Sequence, residues 1–202
     1  MNATFLNEKC LYKQMENDLD AKLMLKFKQG DRSAFDALFE KYKKPLLNYI
    51  YRFSGNAMMA EELTQETFLR LYQSAKAYEP RARFSTWIFR IATNLCLNEK
   101  RKVATKILSG KDGDSDSDVE TLSNGHWSAA PDKIVEQREL QALVQKAMLA
   151  LPDKQRAALL LLIQGGFTYK EIGSQMNMSE KAVKSLIFRA RQNLKQKLSK
   201  II

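Results

Sequence analysis

Along most of this chain apolar residues recur at spacings of three and four, the period of a helix that buries one face. The pattern is most complete near the C-terminus. Val183, Leu186, Ile187, Ala190, Leu194 and Leu198 form one stripe of a helix, and Lys181, Lys184, Ser185, Phe188, Arg189 and Gln192 fall off it. Upstream, Gly165-Gly166 stops whatever helix precedes. Thr168 followed three residues later by Glu171 has the spacing of a capping box and opens a short helix, about Tyr169 to Met176. In that helix Ile172 faces inward, and Gly173 lets a neighbouring helix approach closely. Asn177 suits the turn because it tolerates a left-handed backbone, and Ser179 caps the second helix. A short helix, a turn and a capped helix with a basic, Phe-bearing outer face suit the DNA major groove. There cations meet phosphates or guanine edges and the ring meets a thymine methyl. The competing reading is an ordinary surface helix with a solvated basic face.

The same period places the other helices. One covers Leu19 to Gln29 and is ended by Gly30-Asp31. A longer one, about Arg32 to Phe53, carries Phe35, Leu38, Tyr42, Leu46, Tyr49 and Phe53 as core positions, with Pro45 expected to kink it or weaken a turn. Ala57 to Ala75 follows, with Ala60, Leu63, Thr67, Leu71 and Ser74 inward and Glu62, Gln65, Glu66 and Arg70 off the stripe. Lys76 to Phe84 is a loop with Pro80 and two arginines, after which Ser85 or Thr86 is expected to cap the next helix. That helix turns Trp87, Ile88, Ile91, Leu95 and Cys96 inward and leaves Phe89, Arg90, Asn94, Asn98, Lys100, Arg101 and Lys102 on a basic, amide-bearing side. Such a side suits single-stranded nucleic acid, whose phosphates meet cations and whose bases stack on rings. It reads equally well as core aromatics followed by a plain basic helix C-terminus. Asp132 to Leu151, with Leu140, Leu143, Val144, Ala147, Met148 and Leu151 as its stripe, and Asp153 to Gly165 complete the second half. No stretch has the alternation of a strand, so the expected fold is all-α.

Composition narrows the partners. The 202 residues carry a formal net charge of +10, which points to nucleic acid or an acidic membrane surface. The N-terminus lacks a signal-peptide pattern, and the longest strongly apolar run, Ala157 to Ile163, is too short to span a membrane. Cys10 and Cys96 lie far apart and His126 is the only histidine, so neither a disulfide framework nor a zinc site is expected. The acidic run after Lys106 alternates Asp with Ser and Gly, which cannot bury enough apolar surface to order itself. The domain reading is therefore a tail at 1–18, a helical domain at 19–103, a flexible acidic linker at 104–132 and a second helical domain at 133–202. No catalytic residue, metal site, cofactor site or small-molecule substrate is indicated.

Three stretches, AEELTQETFLRLYQSA, RFSTWIFRIATNLCLNEKRK and LPDKQRAALLLLIQGGFTYKEIGSQMNMSEKAVKSLIFRARQNLKQKL, resemble in order and spacing the extracytoplasmic-function sigma factors of the bacterial sigma-70 family. The resemblance runs over about Leu19 to Lys197. It implies a region 2-like first domain and a region 4-like second domain. The chain would be a dissociable subunit that directs RNA polymerase to −35 and −10 promoter elements and helps melt the DNA. By that resemblance Glu62, Gln65 and Glu66 would dock on the clamp of the largest polymerase subunit, and the second domain on the flap. The loop Ala77 to Phe84, with Tyr78, Arg81, Arg83 and Phe84, and then Trp87, Arg90 and Asn94, would recognise the −10 element and hold an extruded base. Lys100, Arg101 and Lys102 would contact its backbone. Lys181, Lys184, Ser185, Phe188 and Arg189 would face the −35 element. The acidic linker would thread toward the active-site and RNA-exit channels. An anti-sigma factor would be a further partner. The chain would work in the cytoplasm, held at the inner membrane face where that factor is membrane-bound. Asn98 stands where the family commonly has Asp. The alternatives are a stand-alone helix-turn-helix regulator, against which 1–103 lacks a receiver or ligand domain, and a polymerase-binding inhibitor, against which stands the exposed basic face.

Overall fold

Eight α-helices, all found where the apolar period recurs, make up the described residues, 18–108 and 131–199, of this computed structural model. In chain order they are α1 (Leu19–Lys28), α2 (Arg32–Ser54), α3 (Ala57–Ser74), a 3-10 turn (Ala75–Ala77), α4 (Phe84–Leu108), α5 (Pro131–Leu149), α6 (Asp153–Gly165), α7 (Tyr169–Met176) and α8 (Glu180–Leu198). Residues 1–17 of the expected N-terminal tail, most of the expected linker, Cys10 and His126 lie outside the described residues, whereas Asp18, assigned to that tail, instead caps α1. No strand occurs among the described residues, and no helix among them is long and apolar enough to cross a membrane.

α1 to α4 form the first unit. Leu38, Leu46, Tyr49, Ile50 and Phe53 of α2 are 0–1% exposed and pack against Met24, Leu71 and Ile88 from its neighbours. α2 keeps one span through Pro45, with Tyr42 before it and Leu46 after it buried in the core. The start of α4 differs from expectation. It opens at Phe84, ahead of Ser85 and Thr86, and its first N–H is taken by the Asp18 carboxylate at 2.8 Å. Thr86 is buried within the helix.

α5 to α8 form the second unit, closed over Leu159, Leu160, Leu161, Ile172, Val183 and Ile187. Here the expected α5 stripe is only half met. Ala147, Met148 and Leu151 are buried, but Leu140 and Val144 are 55% and 38% exposed among the described residues.

The two units share one core. Arg156 of α6 is the main joint. Its guanidinium, 4% exposed, donates to the carbonyls of Met148, Leu149 and Leu151 in its own unit and to that of Phe53 at 2.6 Å in the other. It also lies over the Phe53 ring, 5.1 Å from the centroid. Burial lowers its pKa, opposed by nearby Asp153. A buried cation so fully bonded satisfies the C-terminal carbonyls of two helices at once. Beside it, Gly55 ends α2 with φ 73°, and a Cβ there would lie 2.6 Å from Leu149 Cδ1. Glycine therefore serves both the turn and the close approach.

The aromatic side of α4 completes the contact between units. The Phe89 ring sits 5.4 Å from Tyr49 and 5.4 Å from Phe167. Its expected place on the basic outer side is thus corrected: at 5% exposure it belongs to the joint, since the second unit covers that flank of α4.

Candidate nucleic-acid interface

The C-terminal helix pair forms through local chemistry. The Thr168 hydroxyl accepts from the Glu171 N–H at 3.2 Å, and the Glu171 carboxylate accepts from the Thr168 N–H at 2.8 Å, so the capping box is complete. Asn177 takes φ 54°, ψ 50° at the turn, and a Cβ on Gly173 would sit 2.6 Å from the Met178 carbonyl. The Ser179 hydroxyl then caps α8 through the Ala182 N–H at 3.2 Å.

α8 buries Val183, Leu186, Ile187 and Ala190, with Leu194 and Leu198 half-buried. This turns Lys181, Lys184, Ser185, Phe188 and Arg189 outward, all exposed. The last four line a shallow hollow, and Phe188 is 63% exposed. An aromatic ring held in water by a well-packed helix is a surface available for contact. Lys184 is steadied by Glu180 at 2.8 Å and stands over the Tyr169 ring. The hydrogen bond to Glu180 holds its ammonium above the usual range and the Glu180 carboxyl below it.

On α3, Glu62 and Gln65 are exposed, and half-buried Glu66 pairs with Arg70 at 2.7 Å. Leu69 and Tyr72 join this face, 50% and 53% exposed. Sequence reading missed both. The available signal was Leu69 four after Gln65 and three after Glu66, with Tyr72 three further on, which puts apolar groups on a polar face.

The loop between α3 and α4 separates into support and surface. Tyr78 and Phe84, expected to meet DNA, are 3% and 0% exposed, so their expected role is corrected to holding the loop from beneath. Phe84 packs on Tyr42 with centroids 5.2 Å apart, and Tyr78 on Trp87 at 4.8 Å. Burial pushes the Tyr78 hydroxyl pKa up, with Asp18 and Asp20 adding to the shift.

Arg81 and Arg83 are outward, Arg81 paired with Glu79 at 2.6 Å. Half-buried Trp87 and Ile91 line a hollow with Arg70, Gln73 and Ser74 of α3, groups that sequence reading had not joined to this surface. Arg90, Asn94 and Arg101 are exposed and Lys100 half-exposed, along one flank of α4. Asn98 accepts from Arg101 at 3.3 Å.

Part of this surface touches the second unit. The Glu171 carboxylate reaches Thr86 at 3.3 Å and Arg83 at 3.9 Å, and Arg90 reaches the Asn177 side chain at 3.5 Å. These contacts are long, and the arginines are exposed. They contribute little beside the buried aromatic and Arg156 contacts. Among the described residues no group of His, Cys, Asp and Glu could hold a metal ion.

Comparison with known proteins gives matches in both units. The family model for Sigma-70 region 2 matches residues 38–105, and that for Sigma-70, region 4 matches residues 141–194. The chain is 32% identical over 176 residues to the ECF RNA polymerase sigma factor SigW of Bacillus subtilis (strain 168), covering 85% of this chain and 92% of that protein. It is 29% identical over 192 residues to the RNA polymerase sigma-H factor of Pseudomonas aeruginosa, covering 93% and 98%. Among solved structures, the sigma factor RpoE from Bartonella quintana, in complex with the anti-sigma factor NepR, has a similar fold. It aligns with a TM-score of 0.65 at 22% identity, over 82% of this chain and 96% of that one.

Proposed function

This chain belongs to the ECF RNA polymerase sigma factors, and we propose that it divides the work of transcription initiation among three of its surfaces. The outer face of α3, with Glu62, Gln65, Glu66, Leu69 and Tyr72, docks on the clamp of core RNA polymerase. The exposed apolar pair supplies area and the carboxylates supply register. The second unit meets the flap. The loop 78–84 with Trp87, Arg90 and Asn94 engages the −10 element, Arg81 and Arg83 holding phosphate and Asn94 reading the extruded base. Lys100, Arg101 and Lys102 follow the backbone. Lys181, Lys184, Ser185, Phe188 and Arg189 read the −35 element in the major groove. Extruding a base costs a few kcal/mol, roughly, so a site that binds only the extruded form stabilises melting. The chain itself catalyses no step and needs no cofactor. It works in the cytoplasm, where core polymerase is. An anti-sigma factor is a fitting regulator, as for the similarly folded RpoE.

The observation that carries this reading is the well-packed α8 with five polar and aromatic groups turned to water. Its geometry adds a constraint. Elements named −35 and −10 lie about 25 base pairs apart, roughly 85 Å along B-DNA. A compact chain of this length has a radius of gyration of only about 17 Å. Units packed through Arg156 and Phe89 cannot reach both elements, so they part when the chain works.

The test is promoter binding by holoenzyme carrying Asn94→Ala or Arg189→Ala. Asn94→Ala is expected to slow open-complex formation and leave upstream-element binding intact, and Arg189→Ala to do the converse. Equal loss of both steps in either variant contradicts the division.

A further inference from the structure

Resting on the reading of 78–84 as the loop that serves the extruded base, we propose that Asp18 and Lys28 are its positioning residues, gripping its two ends from the two ends of α1. The loop has no regular structure between the 3-10 turn and α4, and its local backbone bonds are few: Tyr78 N–H to the Ala75 carbonyl at 3.1 Å, Arg81 N–H to the Glu79 carbonyl at 2.8 Å and Trp87 N–H to the Arg83 carbonyl at 3.1 Å. Its ends are also held from far away in sequence. At the downstream end, Asp18 Oδ2 accepts from the Phe84 N–H at 2.8 Å. The other oxygen of the same carboxylate, Oδ1, accepts from the N–H groups of Asp20 and Ala21 at 3.1 and 3.3 Å. One carboxylate thus caps two helices, α1 and α4, and their positive ends converge on it. At the upstream end, Lys28 Nζ donates to the Tyr78 carbonyl at 2.9 Å.

Between these two grips runs a rigid spacer. α1 is 10 residues long, about 15 Å. Ala21, Met24 and Phe27 fix it in the core, and Asp20 is tied to Lys41 at 2.6 Å and to the Tyr42 hydroxyl at 2.6 Å. The distance between the loop's ends is therefore set by a helix that cannot slide. Tyr78 and Phe84, the gripped residues, are also those whose rings are buried, whereas Arg81 and Arg83 between them stay in water. The loop is pinned at both feet, and at its crest exposed Arg81 pairs with Glu79 at 2.6 Å while Arg83 lies 3.9 Å from Glu171. A site that discriminates bases needs such pre-organisation, since a small shift of its walls costs more in discrimination than in stability.

The experiment uses holoenzyme assembled from core RNA polymerase and the full chain. Its probes are forked promoter fragments with a single-stranded non-template −10 segment, carrying each of the four bases in turn at the extruded position. The readout is the affinity ratio between preferred and disfavoured base. Lys28→Met removes the donor and Lys28→Arg keeps one. Asp18→Asn leaves one acceptor oxygen where two are used. Lys28→Met and Asp18→Asn are each expected to lower the ratio about tenfold, the scale of one lost charge-assisted bond. Lys28→Arg restores it, and binding to double-stranded −35 DNA stays within twofold in all three. Lys28 is exposed, so its substitution leaves the core intact. A ratio unchanged by Lys28→Met and Asp18→Asn, but lowered by Asn94→Ala, overturns the proposal. A ratio unchanged by Asn94→Ala as well overturns the reading it rests on, and the proposal with it.

Discussion

The two surfaces given to DNA are built in opposite ways. The helix-turn-helix of α7 and α8 is made from 31 consecutive residues, Thr168 to Leu198, and its N-caps, turn and stripe all lie within that stretch. The surface around the α3–α4 loop is assembled at long range. Phe84 is capped by a residue 66 positions earlier and Tyr78 is held by one 50 positions earlier. The outer face of α8 stands free of the first unit, whereas Arg83, Thr86 and Arg90 touch Glu171 and Asn177 across the joint. A locally built reader can be inspected by DNA at any time. If the units separate as proposed, the long-range one loses these contacts as well. The difference suits an order of events in which a duplex element is read before a melted one.

Substitutions can break this comparison, beginning with the largest expected effect. Arg156→Ala leaves buried carbonyls in both units without their donor, and is expected to cost about 3 kcal/mol or more in a denaturant titration. If Arg156 serves both units, the loss appears in probes placed in either one. A loss confined to α5–α8 would mean that the Phe53 contact contributes nothing. Arg189→Ala is expected to cost about 1–3 kcal/mol at a single base pair of the upstream element, scanned with the other base pairs as controls. An equal loss at every sequence would reduce Arg189 to a phosphate contact.

Glu66→Lys reverses charge on the α3 face and is expected to weaken core polymerase binding about tenfold, or about 1.4 kcal/mol, with DNA binding by the second unit unchanged. Glu171→Gln is the mildest change to the joint. Gln preserves the capping box, so melting should shift by less than about 1 kcal/mol, while access of single-stranded DNA to Arg83 rises slightly.

Cys96 sharpens the same point through pH. Burial pushes its thiol up to about 12. The folded chain therefore holds the proton more tightly than the unfolded chain does. The stability this contributes is present below about pH 9 and is lost as pH rises toward 12. Native chain at pH 8 should resist alkylation at Cys96 and the denatured chain should not, as peptide mapping after iodoacetamide will report.

What the sequence disclosed follows the same divide. Helices and their stripes were legible because period and caps are local. The Thr168–Glu171 box, the left-handed Asn177 and the Ser179 cap all stand as the residues indicated. Ser85 and Thr86 looked like caps because small hydroxyl residues usually are, but a distant carboxylate had taken that position. Phe89 fell on the polar side of α4 because a helical wheel knows one packing partner, and this helix has two. Tyr78 and Phe84 were expected to meet DNA because the resemblance assigns the whole loop from Ala77 to Phe84 to the −10 element, and only the fold sorts rings beneath a loop from cations upon it. The family resemblance named the surfaces, but the supports of the loop lay beyond any local pattern.

The most direct measurement of the central claim is transcription by purified core RNA polymerase on a library of random promoter fragments, with and without this chain. The account predicts starts that occur only when the chain is present, downstream of two shared sequence elements. Substitution of Arg189 should relax the upstream element and substitution of Asn94 the downstream one. Core that binds the chain tightly yet gains no new starts, or core that does not bind it at all, would contradict the account.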